Sequence, residues 1–308
     1  MAAARRYAIA AYDRSGVAKL LETSTAFRIV FLTALTAALS VFFYRYHGPM
    51  SYDVLRLFDF LPYEVIHWTG IIAGFLVGII ALAAVAVMAK KLGKEGADHD
   101  RRGIHRLGAL CDTLVVEVLG QRRYRLDCEM YAGGQPWYVQ KWFVHASIMW
   151  GFLGLLLATA LDYLLAILGV KPTGTWVPLW YPVRLLGTLA GGMFVYGTTA
   201  AMVRRLRKTD EGSAHSTSTD WIFLVLLWLG GVTGFGVEIA LYLPRPYAWS
   251  YWVLLIHLVV VAELLLLLPF SKFAHVLYRT LSLSVLAMRR VPESEPAAGE
   301  AQEQKLAG

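Results

Sequence analysis

The chain has 308 residues, 57% of them hydrophobic and 17% charged, with a mean hydropathy of +0.52. Soluble domains carry about 25% charged residues, so a soluble globular enzyme is all but excluded, along with collagen, coiled coil and general disorder. Two cysteines are too few for a disulfide framework or a four-thiolate cluster, and the net charge of +7 reads as a statement about membrane orientation, not nucleic-acid binding.

In chain order, residues 1–27 interleave Arg5, Arg6, Arg14 and Lys19 with apolar positions and lack the apolar core of a secretory signal. They read as a cytoplasmic segment, either a short interfacial helix or a frayed terminus. Six stretches reach the ~20 apolar residues of a membrane span: 28–46, 64–89, 142–169, 184–203, 220–243 and 251–270, the last continuing as one helix to about Tyr278. None alternates as a barrel strand would. The expected fold is an all-α integral membrane bundle of six transmembrane helices. It divides into two leading spans (28–90), a basic loop (91–140), a four-helix unit (141–280) and a Glu-, Ala- and Gln-rich tail (281–308) with little to bury.

Of the 29 Lys and Arg residues, 24 fall in the N-terminal segment through Arg28, the stretch from Lys90 to Lys141, the 204–208 turn and the part after Phe270. The other 5 (Arg45, Arg56, Lys171, Arg184, Arg245) lie on the opposite side. This asymmetry predicts cytoplasmic termini in an inner membrane. The loop carries Arg101, Arg102, Arg106, Arg122, Arg123 and Arg125 around a helical apolar pattern of Leu107, Leu110, Leu114 and Val118. Two readings stay open for it: a topology-setting loop on anionic lipid, or a docking platform for a soluble partner.

His99, His105 and His215 fall in polar segments, and His47 lies where the first span meets water. His67, His145, His257 and His275 fall in spans or their helical extension, where ionisable residues are functional candidates. His257 and His275 are 18 residues apart. On one continuous helix that is five whole turns and about 27 Å, so both imidazoles leave one face, one toward each side of the membrane. His145 matches His275 in depth and His67 roughly matches His257. Histidine is a common axial ligand of haem iron, so the pairs predict two stacked bis-histidine haems of the non-covalent b type. Gly151, Gly154, Gly191, Gly192, Gly230, Gly231, Gly234 and Gly236 would let helices approach closely around a macrocycle.

The segment from His257 through Leu-rich sequence to Pro269-Phe270-Ser271-Lys272 and His275 resembles the last helix of the gamma subunit of respiratory nitrate reductase. Lys141-Trp-Phe-Val-His145, Leu189-Ala-Gly-Gly192 and Asp220-Trp-Ile fit the same family, and the likeness covers residues 141–280. The six-span layout and the basic loop resemble relatives in heterodisulfide-reductase-like and sulfite-reduction-linked complexes, where a membrane cytochrome b works with a separate iron–sulfur protein. The resemblance implies that His145 and His275 hold an inside haem and that His257 holds one side of an outside haem. It departs at Leu155, where that family has its remaining histidine; His67 is the substitute expected here. The resemblance also implies a quinone site helped by Arg184. Asp162 and Glu238 lie near the outer ends of spans, and Glu263, deep in the sixth, is the proton-path candidate.

The expected function is a haem b subunit passing electrons between a membrane quinone and a cytoplasmic iron–sulfur subunit docked on the 91–141 loop. The alternatives left open are a proton or ion transporter and a structural membrane anchor without haem.

Overall fold

The structure, a computed structural model, describes residues 2–94, 136–208 and 216–289, together with 108, 111, 113–122, 125, 126 and 134. Its regular elements are helices: α1 (Ala2–Tyr12), α2 (Val17–Thr23), α3 (Thr25–Arg45), α4 (Leu57–Phe60), α5 (Tyr63–Lys94), α6 (Lys141–Ile167), α7 (Pro182–Leu206), α8 (Ser218–Tyr242), α9 (Ala248–Leu267) and α10 (Ala274–Arg289). A π-helical turn covers Thr113–Leu119, and short 3-10 turns cover Trp137–Val139 and Leu268–Phe270. Among the described residues six stretches are long and apolar enough to cross a membrane: α3, α5, α6, α7, α8 and the run Ala248–Ala287. This is an all-helical, multi-pass membrane architecture.

Local chemistry starts these helices. Ser24 caps α3 by accepting from the Phe27 amide at 3.2 Å. Pro182 opens α7, where its missing N–H costs nothing. Thr217 and Asp220 form a capping box on α8. The outward faces stay apolar, as a lipid solvent requires: Phe75 and Leu82 on α5 are each 71% exposed.

The sixth apolar run is the hub. Half of its apolar window is buried, against at most 28% in the other five. Helix α9 packs on α3, α5 and α8, while α6 lies against α7 and α7 against α8. The α6–α7 contact is backbone to backbone. A Cβ on Gly151 would stand 2.6 Å from the Phe194 nitrogen, and one on Gly197 would stand 2.8 Å from the Ile148 nitrogen. Here the glycines serve direct helix contact.

The expectation of one unbroken helix from 251 to Tyr278 is corrected. Helix α9 stops at Leu267, the chain tightens into a 3-10 turn, and Ser271 is extended before α10 begins. Pro269 is the cause: it has no N–H to give, and its ring crowds the carbonyl four residues back. Ser271 satisfies the freed ends, donating to the Leu268 carbonyl at 3.2 Å and accepting from the Phe273 amide at 3.3 Å. His257 and His275 therefore sit on different helices, and the five-turn phase argument does not apply to them. The N-terminal segment forms two short helices, α1 and α2, whose Ile9 and Ala18 pack with Ala84, Met88, Ala274 and Tyr278.

The α2 and α10 end of the bundle is called the basic end below, and the end where α5 and α9 begin the opposite end.

Candidate functional site

At the basic end, His145 lies on the second turn of α6 and is half-buried. Its Nδ1 is 3.1 Å from Oε1 of Gln121, and the Gln121 amide nitrogen donates to Met149 Sδ at 3.1 Å. His145 and Met149 are four apart, so one glutamine spans one face of α6. Gln121 is only 6% exposed and holds φ at +51°, a left-handed conformation rare outside glycine. That turn, directly after the π-helical segment, aims the side chain at α6. With the Gln121 oxygen accepting, His145 carries its proton on Nδ1 and its lone pair on Nε2.

His275, in the first turn of α10, directs Nδ1 at the Lys272 carbonyl. A carbonyl only accepts, so this ring too is protonated on Nδ1. Lys272 is itself fixed by an ion pair to Asp220 at 2.5 Å, and α10 packs against the π-helical segment that precedes Gln121.

His257 lies near the middle of α9, half-buried, with Nδ1 3.0 Å from Thr233 Oγ1 on α8. Thr233 has one hydroxyl proton and gives it to the Leu229 carbonyl at 2.6 Å. Its oxygen therefore accepts from His257, which again leaves the lone pair on Nε2. Gly234 makes this possible: a Cβ there would lie 3.2 Å from the His257 ring.

His67 differs. On the second turn of α5 it stacks on Tyr63 at 5.5 Å between ring centroids and lies tilted against Tyr163 at 5.0 Å. Among the described residues its ring nitrogens have no hydrogen-bond partner. Measured along their own helices, His67 lies about 6 Å from the start of α5 and His257 about 14 Å from the start of α9. His47, read from sequence only as interfacial, points Nδ1 at the Gly48 carbonyl at 3.2 Å and stacks on Phe60 near Trp252.

Arg184 lies at the start of α7 with its guanidinium 6.0 Å from the centroid of the Tyr242 ring. Beside it, Thr188 donates to Glu238 at 2.6 Å, and an open cleft is lined by Leu179, Thr188, Phe235, Glu238, Ile239 and Tyr242. Tyr242 was not singled out from sequence; an aromatic at a span end carries no distinguishing signal. Glu263 is 5% exposed, and its carboxylate meets Thr36 of α3 at 3.0 Å. Asp162 pairs with Lys171 at 2.5 Å, an exposed contact near the end of α6.

Of the basic loop, Arg101, Arg102, Arg106 and Arg123 lie outside the described residues, as do Leu107, Leu110, His99, His105, His215 and the tail beyond 289. Arg125 lies over the Trp142 ring at 5.0 Å. Among the described residues no three His, Cys, Asp or Glu converge on one point. His67, His145, His257 and His275 instead stand singly on four separate helices.

No family model matches the chain, and no solved structure matches it. A curated protein, citrate utilization protein B of Escherichia coli, is 36% identical over 107 residues, which is 34% of this chain and 27% of that protein. The chain thus spans about a quarter of that relative's length, and the nitrate reductase likeness rests on its motif residues alone. What the comparisons establish is a likeness, over a third of a six-span helical chain, to citrate utilization protein B.

Proposed function

We propose that this protein is a membrane cytochrome b, the subunit of a larger oxidoreductase that carries electrons between a quinone and an iron–sulfur partner at the basic end. The observation behind this reading is that His145, His257 and His275 each have Nδ1 engaged with an oxygen acceptor. Metal-ligating histidines characteristically donate the other ring N–H in this way, which sets tautomer, ring orientation and basicity. Two axial nitrogens are what a haem iron asks of a protein, and singly placed histidines fit that demand. Bound haem would supply one-electron chemistry.

The chain's own residues have separable tasks. Gln121 and the Lys272 carbonyl orient the two basic-end imidazoles, and Thr233 orients His257. His67 is the proposed fourth ligand. Thr188, Glu238 and Tyr242 set a hydroxyl, a carboxylate and an aromatic ring in the apolar cleft, with Arg184 lying against Tyr242, and a few polar groups in an apolar cleft suit a quinone head. Glu263 and Thr36 place an exchangeable proton inside the bundle. The basic loop is the proposed docking surface for the iron–sulfur subunit. The name of the matched relative extends the proposal to a complex that acts in the use of a citrate-like organic acid.

The test is the dithionite-reduced spectrum and haem content of the purified chain. Two b-type haems per chain are expected. A colourless protein with intact helices would overturn the proposal in favour of a transporter or a bare anchor.

A further inference from the structure

The turn between α9 and α10 carries the acceptor on which His275 depends. The Lys272 carbonyl receives the Nδ1–H of the His275 ring and, at 3.2 Å, the backbone N–H of the same residue. Lys272 belongs to neither helix: α9 stops at Leu267, a 3-10 turn runs to Phe270, and α10 starts at Ala274. A carbonyl outside a helix is not aimed by the regular i to i+4 ladder, so its direction follows from whatever holds the turn. The Lys272 side chain reaches across to α8, where its ammonium lies 2.5 Å from one Asp220 oxygen. Asp220 is itself fixed. It is 3% exposed, its other oxygen accepts the Thr217 amide at 3.1 Å within the α8 capping box, and its backbone carbonyl accepts from Arg205 at 2.9 Å.

Burial decides what this pair can do. An exposed ion pair is screened and holds a turn weakly, but these side chains are 19% and 3% exposed. Removing one member of a buried pair leaves the other charge uncompensated, so the turn should not keep its place without it. We propose that Asp220 is a positioning residue for His275: by fixing Lys272 to the start of α8 it aims the Lys272 carbonyl at the imidazole, and so keeps the proton on Nδ1 and the lone pair on Nε2. Asp220 does not touch the ligating nitrogen and acts only through Lys272. The consequence for haem rests on the cytochrome reading, in which a histidine that donates from its second nitrogen is a more basic and better oriented ligand. His145 is arranged differently, because its acceptor is the Gln121 side chain itself.

The test compares Asp220→Asn, Lys272→Met and Lys272→Arg in the purified full chain. Asparagine loses the charge but keeps an oxygen for the Thr217 amide, so α8 stays capped. Lys272→Met leaves Asp220 in place and serves if Asp220→Asn does not fold. Both should weaken retention of the basic-end haem about tenfold. Both should also raise its reduction potential, since a less basic imidazole favours the ferrous state, while the haem on His257 keeps its own. Lys272→Arg, which restores the pair, should match the wild type. The sign separates orientation from bare charge. Loss of a carboxylate raises a potential and loss of an ammonium lowers it, so charge alone would move Asp220→Asn and Lys272→Met in opposite directions. Asp59→Asn, in the exposed pair with Arg56, should change neither haem. In the haem-free chain, nitrogen NMR of the His275 ring should show the Nδ1–H tautomer in the wild type and Lys272→Arg, and a mixture of tautomers in the other two. Opposite shifts, an equal shift in both haems, or a lowered Tm with potential and tautomer unchanged would each overturn the proposal. A chain that binds no haem would overturn the cytochrome reading instead, and the His275 tautomer would still decide the role of Asp220.

Discussion

The two ends of this bundle treat their histidines differently. At the basic end, His145 and His275 are held by a buried amide and a backbone carbonyl, and the residue that lends the carbonyl, Lys272, is paired with Asp220. At the opposite end, His67 rests between aromatic rings with no hydrogen bond among the described residues, and His47 leans on the carbonyl of the next residue. His257 belongs with the first group in chemistry, through Thr233, although its helix starts at the other end. A ring held by a hydrogen bond is fixed in tautomer and direction; a ring held by stacking alone is fixed only in plane. The basic end is therefore preorganised for ligation, and the opposite end only partly so.

The largest expected effect breaks the preorganised side outright. His275→Ala or His145→Ala should remove one haem of two, counted as pyridine haemochrome, and leave the other spectrum in place; His257→Ala should remove the second. Loss of both haems from any one change would mean that the two ends are not independent. Next comes packing: Gly151→Val pushes a side chain into the α7 backbone and should cost about 3 kcal/mol, read as a lowered midpoint in thermal unfolding with haem content following. A surface glycine with open space around it, Gly78, is the control.

A sharper test takes the support and leaves the ligand. Gln121→Ala should weaken retention of the basic-end haem about tenfold, in line with the loss of an outer-shell partner. It should shift the reduction potential of that haem without touching its partner; an unchanged potential would show that the hydrogen bond to His145 has no bearing on ligation. His67→Ala should cause a smaller haem loss than His257→Ala, because His67 lacks an anchoring bond. Equal losses would make anchoring irrelevant to the comparison, and full haem retention would pass the fourth position to His47, checked with His47→Ala. The smallest effect is at the surface. Arg122→Gln with Arg125→Gln should weaken association of the iron–sulfur partner in a salt-dependent way, and unchanged co-purification at low and high salt would reject docking there.

Much of the framework is legible in the chain. The six spans follow from apolar runs of the right length, and each predicted stretch overlaps a helix found in the structure, because lipid leaves a backbone no alternative to internal hydrogen bonding. The predicted boundaries missed where local chemistry intervened. Ser24 starts the first span helix at Thr25, three residues before the predicted 28, and Pro269 halts α9 at Leu267. The proline was visible, but its consequence was overridden by the apolar run around it and by the even spacing of two histidines.

The polar supports could not be read in advance. Gln121 stands 24 residues before His145, just past the apolar pattern of the basic loop, and Thr233 is one hydroxyl among glycines, 24 residues before His257. Arg28 reads in sequence as one more positive charge at a span end, and only the packing shows it buried, with its guanidinium donating to the Leu21 carbonyl. Length, hydropathy and charge asymmetry act locally along the chain, so the sequence by itself determined that this protein is a six-span helical membrane bundle. Which side chain orients which imidazole, and which charges end up buried, depends on contacts between residues far apart in the chain; those only the tertiary structure decided.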